Sequence, residues 1–331
     1  MRHCISVLSM TVAAALLVGC SSDSQISNNA ALAEGTRLPA AWQRLAPLGW
    51  ALPAAKKGPF LYVAANYDNE ILIYPENGYH QSPVGTITSG VSVPYGLSVD
   101  LSGNLYVSNQ SPPTVTVYPA GSTQPSVTYS EGLVHPLYSV VDQYGDLFVG
   151  NRGASRGCDK AGTIVEYKAG SQNPYQTLNM PGREVDGMDF DQQGDLYAAW
   201  TGCSRGGGWG GVEKFAPGST QGEPLDISVR KPQGLLVDKK GNILVVASGP
   251  STVELYRPGS HRPSLRLKLP DGGLPVQLAI TSDESRLFVS SWNQGSIWVT
   301  GYPLSRSSTW TSEDSVSGTP LGIALSNGQT F

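Results

Sequence analysis

Histidine and cysteine are scarce in this chain, with four of each among 331 residues, and His3, Cys4 and Cys20 all fall within the first 20. The remaining histidines, His80, His135 and His261, lie far apart, so no metal cluster, nucleophile triad or paired acid and base stands out. Charge is thin as well: 15% of residues are charged, the net charge is −4, and no basic stripe is visible. Phosphate contact needs clustered Lys and Arg, so no nucleic-acid partner is expected. Long apolar runs are missing too. The one mostly apolar stretch, Ile5 to Val18, falls short of the roughly 20 residues that span a bilayer.

That stretch follows Arg2 and His3 and reads as the core of a secretory signal. It ends in Leu17-Val18-Gly19-Cys20, which resembles a bacterial lipobox. The expected organisation is a signal peptide over 1–19, a lipidated Cys20 with a tether over 20–57, and a folded body over 58–331. An ordinary signal peptide with an incidental cysteine is the alternative. Acylation would hold the protein on a membrane, and Ser21 after the cysteine resembles outer-membrane sorting if the cell is Gram-negative. Once Cys4 and Cys20 are accounted for, Cys158 and Cys203 remain. In an oxidising compartment such a pair is expected to form a disulfide, two unrelated buried thiols being the other possibility.

What the chain has in plenty is turn residues, Gly 39 and Pro 24, with 40% hydrophobic residues, as a many-stranded all-β protein requires. From residue 58 one unit recurs. Its most regular part is a short strand: Leu61-Tyr-Val63, Leu105-Tyr-Val107, Leu147-Phe-Val149, Leu196-Tyr-Ala198, Ile243-Leu-Val245 and Leu287-Phe-Val289, with starts 42 to 49 residues apart. Four of these follow an Asp-x-x-Gly-Asn/Asp turn, at Asp100, Asp142, Asp191 and Asp238. Glycine there permits the positive φ of a tight hairpin. A strand precedes each turn, as in Pro94–Val99, and two alternating strands follow, separated by turns such as Tyr118-Pro-Ala-Gly-Ser122. Four antiparallel strands per unit make a propeller blade.

Ring closure is also written in the chain. The first unit begins at a second strand, Phe60–Val63, whereas the last segment, Pro320–Leu325, is a first strand without successors. The C-terminal strand is therefore expected to complete the first blade. The result is an all-β, six-bladed β-propeller with no exposed sheet edge at its seam.

The motif Pro-x-Gly-Leu-x-Val-Asp-x-x-Gly-Asn-Leu-Tyr-Val, complete at Pro94–Val107 and nearly so at Pro232–Val245, resembles the NHL repeat. That resemblance implies a fold shared by ligand binders, scaffolds, lyases and lactonases, so it does not choose a function. The distantly similar gluconolactonase and senescence-marker propellers hold a divalent cation at the pore mouth with residues just before the first-strand glycine. Here that column reads Tyr95, Leu137, Asp186, Gln233, Val276 and Leu321. A hard cation needs several oxygen ligands, so neither a metal nor another cofactor is expected. Streptogramin-type lyases of related shape rely on His and Glu, and the histidines here sit on different blades.

Loops after second strands and before first strands share one face. They carry Asn66, Asn109, Asn151, Arg152, Trp200 and Trp292, which either bind a ligand or cap turns and cover the core rim. The longest inserts, at 151–158 and 201–211, bring Cys158 and Cys203 to comparable places in adjacent blades. A bridge there would pin both loops, and Asp186, Trp200, Arg205 and Trp209 would share that corner. The glycine run at 206–211 is not a phosphate loop, because no helix follows it. The candidate ligand residues are Tyr95, Asn109, Asn151, Asp186, Trp200, Arg205, Trp209 and Gln233. Three functions fit. The first is a monomeric, envelope-anchored binding module for an unidentified small molecule, a carbohydrate or an envelope protein. The second is a lactonase-like hydrolase or lyase acting at the pore mouth through Asp186. The third is a structural lipoprotein in a larger assembly.

Overall fold

The computed structural model describes residues 59–76, 82–153, 162–202, 208–270, 272–316 and 319–327. The leader, Cys20 and the tether over 20–57, together with Cys158, Cys203 and Arg205, lie outside the described residues. The body consists of six antiparallel sheets built on the repeat. In the second blade the order from pore to rim is Pro94–Val99, Leu105–Gln110, Pro113–Tyr118 and Val127–Tyr129. The fourth blade departs slightly: its outer strand is split into Glu223–Pro224 and Val229–Arg230, both paired to the third strand. Asp226, at φ 54° between the pieces, turns the chain out of extended geometry. Trp292–Gln294, a single 3₁₀ turn, is the only helix among the described residues.

Each Asp-x-x-Gly turn is stapled by its own aspartate. Asp100 Oδ1 accepts the amides of Ser102 and Asn104, both at 2.9 Å, while Gly103 sits at φ 82°. Asp142, Asp191 and Asp238 repeat this arrangement. The repeated aspartates are hairpin staples, which is reason enough for them to recur.

The C-terminal strand Pro320–Leu325 pairs with Phe60–Ala65 in the register Leu61↔Leu325, Tyr62↔Ala324 and Val63↔Ile323. All six of its residues are buried, and Ile323 and Leu325 pack with Phe288, Ile297 and Val299 of the sixth blade. Ser326 seals the seam twice, donating its amide to Phe60 O at 2.9 Å and accepting the Phe60 amide on its hydroxyl at 2.8 Å.

The inner strands carry bulges at one level, at Pro94/Leu97, Pro136/Tyr138, Val185/Gly187, Pro232/Leu235 and Pro275/Leu278, matched by Val63/Ala65 on the partner of the latch strand. Neighbouring backbones nearly touch at this level. A Cβ on Gly322 would lie 2.2 Å from Tyr95 O, and one on Gly187 would lie 2.3 Å from Gln233 O. Glycine in the repeat motif is thus a requirement of inner-strand packing around the pore.

Candidate ligand-binding face

Two blades lack that glycine, and their replacements run across the pore. Tyr138 of the third blade donates its hydroxyl to Val276 O of the sixth at 3.1 Å. Gln277 of the sixth donates to Leu97 O of the second at 2.7 Å and accepts the amides of Leu97 and Ile323 at 3.2 and 3.3 Å. One residue earlier in the column, Tyr95 donates to Gln233 Oε1 across the ring at 3.0 Å. Tyr95 and Tyr138 meet edge to face, with centroids 5.6 Å apart. Burial pushes the Tyr95 hydroxyl up to about 12, so it remains a neutral donor.

These struts close the mouth. Below them the axial cavity is about 90 Å³ and is lined from all six blades by Ser98, Val140, Asp189, Leu236, Ala279 and Ala324. Sites for organic ligands usually start at roughly 300 Å³, so this channel has room for a few waters and little else. Asp189 accepts the amides of Val237 at 2.8 Å and Phe190 at 2.9 Å, which ties the fourth blade to the fifth. Burial still raises its carboxyl to about 7.

Asp186 occupies the bulge of the fourth blade's inner strand, between Val185 and Gly187, and is 1% exposed. Arg152, at the end of the third blade's second strand, bridges it to Glu184. Its Nη2 lies 3.8 Å from Asp186 Oδ1 and its Nε lies 3.1 Å from Glu184 Oε2, the latter an ion pair without hydrogen-bond alignment. Burial pushes the Asp186 carboxyl up to about 7; Thr201 and Arg152 oppose that shift, and Glu184 adds to it. Asp186 Oδ2 and the nearby strand residue Trp200, through its Nε1, have no hydrogen-bond partner. The Arg183 guanidinium stacks on the Trp200 ring at 4.4 Å and pairs with Glu213.

The glycines after this loop have a local cause. A Cβ on Gly210 would fall 1.7 Å from Trp200 O, and one on Gly211 2.5 Å from Ile227 O. Trp209 projects outward and is 56% exposed, and Tyr67 and Trp292 are exposed on the same face in the first and sixth blades.

The candidate residues therefore divide. Tyr95, Asp186, Trp200 and Gln233 gather at the mouth, and Trp209 stands above the rim of the fourth blade. Asn109 and Asn151 are taken up by their own loops. Each is 1% exposed; Asn109 accepts Ser92 N at 2.9 Å and Asn151 accepts Val134 N at 3.1 Å, and both side-chain amides donate to loop carbonyls and threonine hydroxyls. Both therefore cap their own loops. Sequence reasoning missed the struts Tyr138 and Gln277 and the Arg152–Glu184 pair. The interrupted glycine column was a visible signal for the first two.

The Asp186 geometry has a pH consequence. A carboxyl whose folded pKa is raised binds its proton more tightly in the folded state, so its contribution to stability falls as pH rises from about 4 to about 7 and is flat above. Asp186→Asn is expected to match the wild type near pH 3 and to be more stable near pH 8, by an amount on the order of a few kcal/mol. Thermal unfolding followed at both pH values checks this.

Comparison with known proteins gives a fold and no family. No family profile matches the sequence, and no curated protein matches it. Among solved structures, a chain of a nidogen/laminin complex superposes with TM-score 0.64 at 19% identity over 82% of this chain and 100% of that one. A Bacteroides caccae protein of unknown function gives 0.58 at 12% identity over 81% and 99%. Kuenenia stuttgartiensis hydrazine synthase gives 0.56 at 15% identity, covering 73% of each chain. Nidogen/laminin, hydrazine synthase and an uncharacterised protein share this architecture, so the chain is a six-bladed β-propeller whose function must be argued from its own residues.

Proposed function

We propose that the protein is an exported, lipid-anchored binding module with an NHL-like propeller, and that its Asp186 face meets an extended carbohydrate or another envelope protein. One observation carries this reading: the pore mouth is filled by the protein's own cross-ring hydrogen bonds, which leaves the rim, and not a catalytic cup, as the contact surface. Tyr67, Trp209 and Trp292 stand exposed on three different blades of that face. Aromatic side chains spaced around a rim suit a chain of sugars or a protein surface better than a single small molecule. The lipobox-like Leu17-Val18-Gly19-Cys20 supports the anchor.

The enzymatic alternative rests on Asp186, whose carboxyl burial pushes up to about 7 and whose Oδ2 has no hydrogen-bond partner, a combination that suits a general acid or base. Incubation of the purified protein with cell-wall glycan fragments separates the two. Saturable tryptophan-fluorescence changes without new products in mass spectrometry are expected, with Trp209→Ala or Trp292→Ala weakening binding about tenfold. Product formation that Asp186→Asn abolishes would establish the alternative. Cys20→Ser is expected to move the protein from the membrane to the soluble fraction, and continued membrane retention would contradict the anchor.

A further inference from the structure

The face opposite the pore mouth carries a feature independent of the reading above. A cleft of about 250 Å³ opens there between the third and fourth blades, close to the lower end of small-molecule sites. Its location follows from a double departure from the repeat. In the second blade, the outer oxygen of the turn aspartate is occupied: Asp100 Oδ2 accepts Tyr106 Oη at 3.2 Å and Asn104 Nδ2 at 2.8 Å. Asp191 Oδ2 accepts Tyr197 Oη at 3.1 Å, and Asp238 Oδ2 accepts Asn242 Nδ2 at 2.7 Å together with Tyr302 Oη.

In the third blade both donors are replaced. Residue 148 is Phe where Tyr106 and Tyr197 stand, and residue 146 is Asp where Asn104 and Asn242 stand. Asp142 Oδ1 still holds the turn through the amides of Tyr144 at 2.8 Å and Asp146 at 2.9 Å. Oδ2 has no donor among the described residues, and Asp142 lines the cleft.

A second anomaly lies beside it. The residue paired with the middle of the second-strand triplet is Ile73, Val117, Leu255 or Val299 in four blades, Lys214 in the fourth and Glu166 in the third. Glu166 is 3% exposed, held by Lys168 and Gln176. A buried carboxylate is costly, and its pairing with Lys168 offsets that cost while its charge stays in the cleft lining. With Asp142, Asp146 and Glu166 against Lys168, the lining holds three carboxylates and one ammonium. The floor is aromatic: Phe148 packs edge to face on Phe190 with centroids 5.2 Å apart. The walls are Tyr144 and Tyr175, 65% and 62% exposed.

We propose that this cleft binds a small organic cation, an amine or guanidine on a short apolar body, with its charged group on Asp142 Oδ2 and its body over Phe148 between the two tyrosines. A neutral sugar would use the aromatic walls but leave the excess negative charge uncompensated. A cation donates to Asp142 Oδ2 and gains from the Tyr144 and Phe148 rings, the Tyr175 ring already carrying the Lys168 ammonium at 4.4 Å.

The test is calorimetric titration of the purified protein with agmatine, with glucose as the neutral probe. Agmatine is expected to bind and glucose not. Asp142→Asn keeps the acceptor that staples the turn and removes the charge, and is expected to weaken agmatine at least about tenfold. Phe148→Tyr restores the hydroxyl found in the neighbouring blades, so it folds at least as well as the wild type and is expected to weaken agmatine by a similar factor. Undiminished agmatine binding in Phe148→Tyr, binding of glucose in preference to agmatine, or no agmatine binding by the wild type would each overturn the proposal.

Discussion

Deletion of residues 320–331 is expected to leave no soluble, folded protein. The strand Pro320–Leu325 lies innermost in the first blade, and without it the edge of Phe60–Ala65 is unpaired. Leu321, Ile323 and Leu325 are each at most 6% exposed. Burying such a side chain contributes about 2 kcal/mol, so the three together approach the roughly 5–15 kcal/mol by which a domain is stable at all. The loss also opens the seam: Ile323 and Leu325 fill the space between the first and sixth blades, and Gln277 loses the Ile323 amide. An open ring with a long apolar edge is a template for aggregation. Circular dichroism and size exclusion check the outcome. A monomeric shortened chain with native β signal and unchanged melting would mean that the strand is dispensable.

Gly322→Ala is expected to lower the melting temperature by about 6–10 °C. The added Cβ would lie 2.2 Å from Tyr95 O and 2.9 Å from Leu97 N. Both obstacles are backbone, and the Tyr95 side chain is itself held across the pore by Gln233, so relief requires an inner strand to move. Overpacking of that kind costs about 3 kcal/mol. Gly301→Ala is the control, since a Cβ there meets nothing within 4 Å. Equal melting of the two variants would show that the inner strands leave room for a Cβ at this level.

The repeat made the ring legible because its signals are local. A turn aspartate, a positive-φ glycine and an apolar triplet each act over a few residues, and six copies reinforce one another. The latch was legible for the same reason, as a repeat unit cut in two. The site was less so, because its contacts join residues distant in sequence. Tyr95 and Gln233 were recognised as members of one column, but nothing in the chain says that they bond to each other across it. Tyr138 and Gln277 announce themselves only as exceptions to the glycine rule, and where their side chains end depends on a pore diameter that the sequence does not state. Arg152 reaches Glu184 and Asp186 from the neighbouring blade, a pairing that inter-blade geometry alone creates. Asn109 and Asn151 fit either role in the sequence, which does not state that both are buried in their own loops. The fourth blade's divided outer strand followed from Asp226 leaving extended geometry, which a weak strand pattern concealed.

Cross-ring hydrogen bonds from Tyr95, Tyr138 and Gln277 fill the pore mouth and hold Asp186 away from solvent. The most direct test is a carbon-detected NMR titration of aspartate-labelled protein, with Asp186 assigned through Asp186→Asn. A sealed mouth predicts an Asp186 midpoint of about 7. A midpoint near 4, the ordinary value for a hydrated aspartate, would show an open and solvated mouth and would contradict the account.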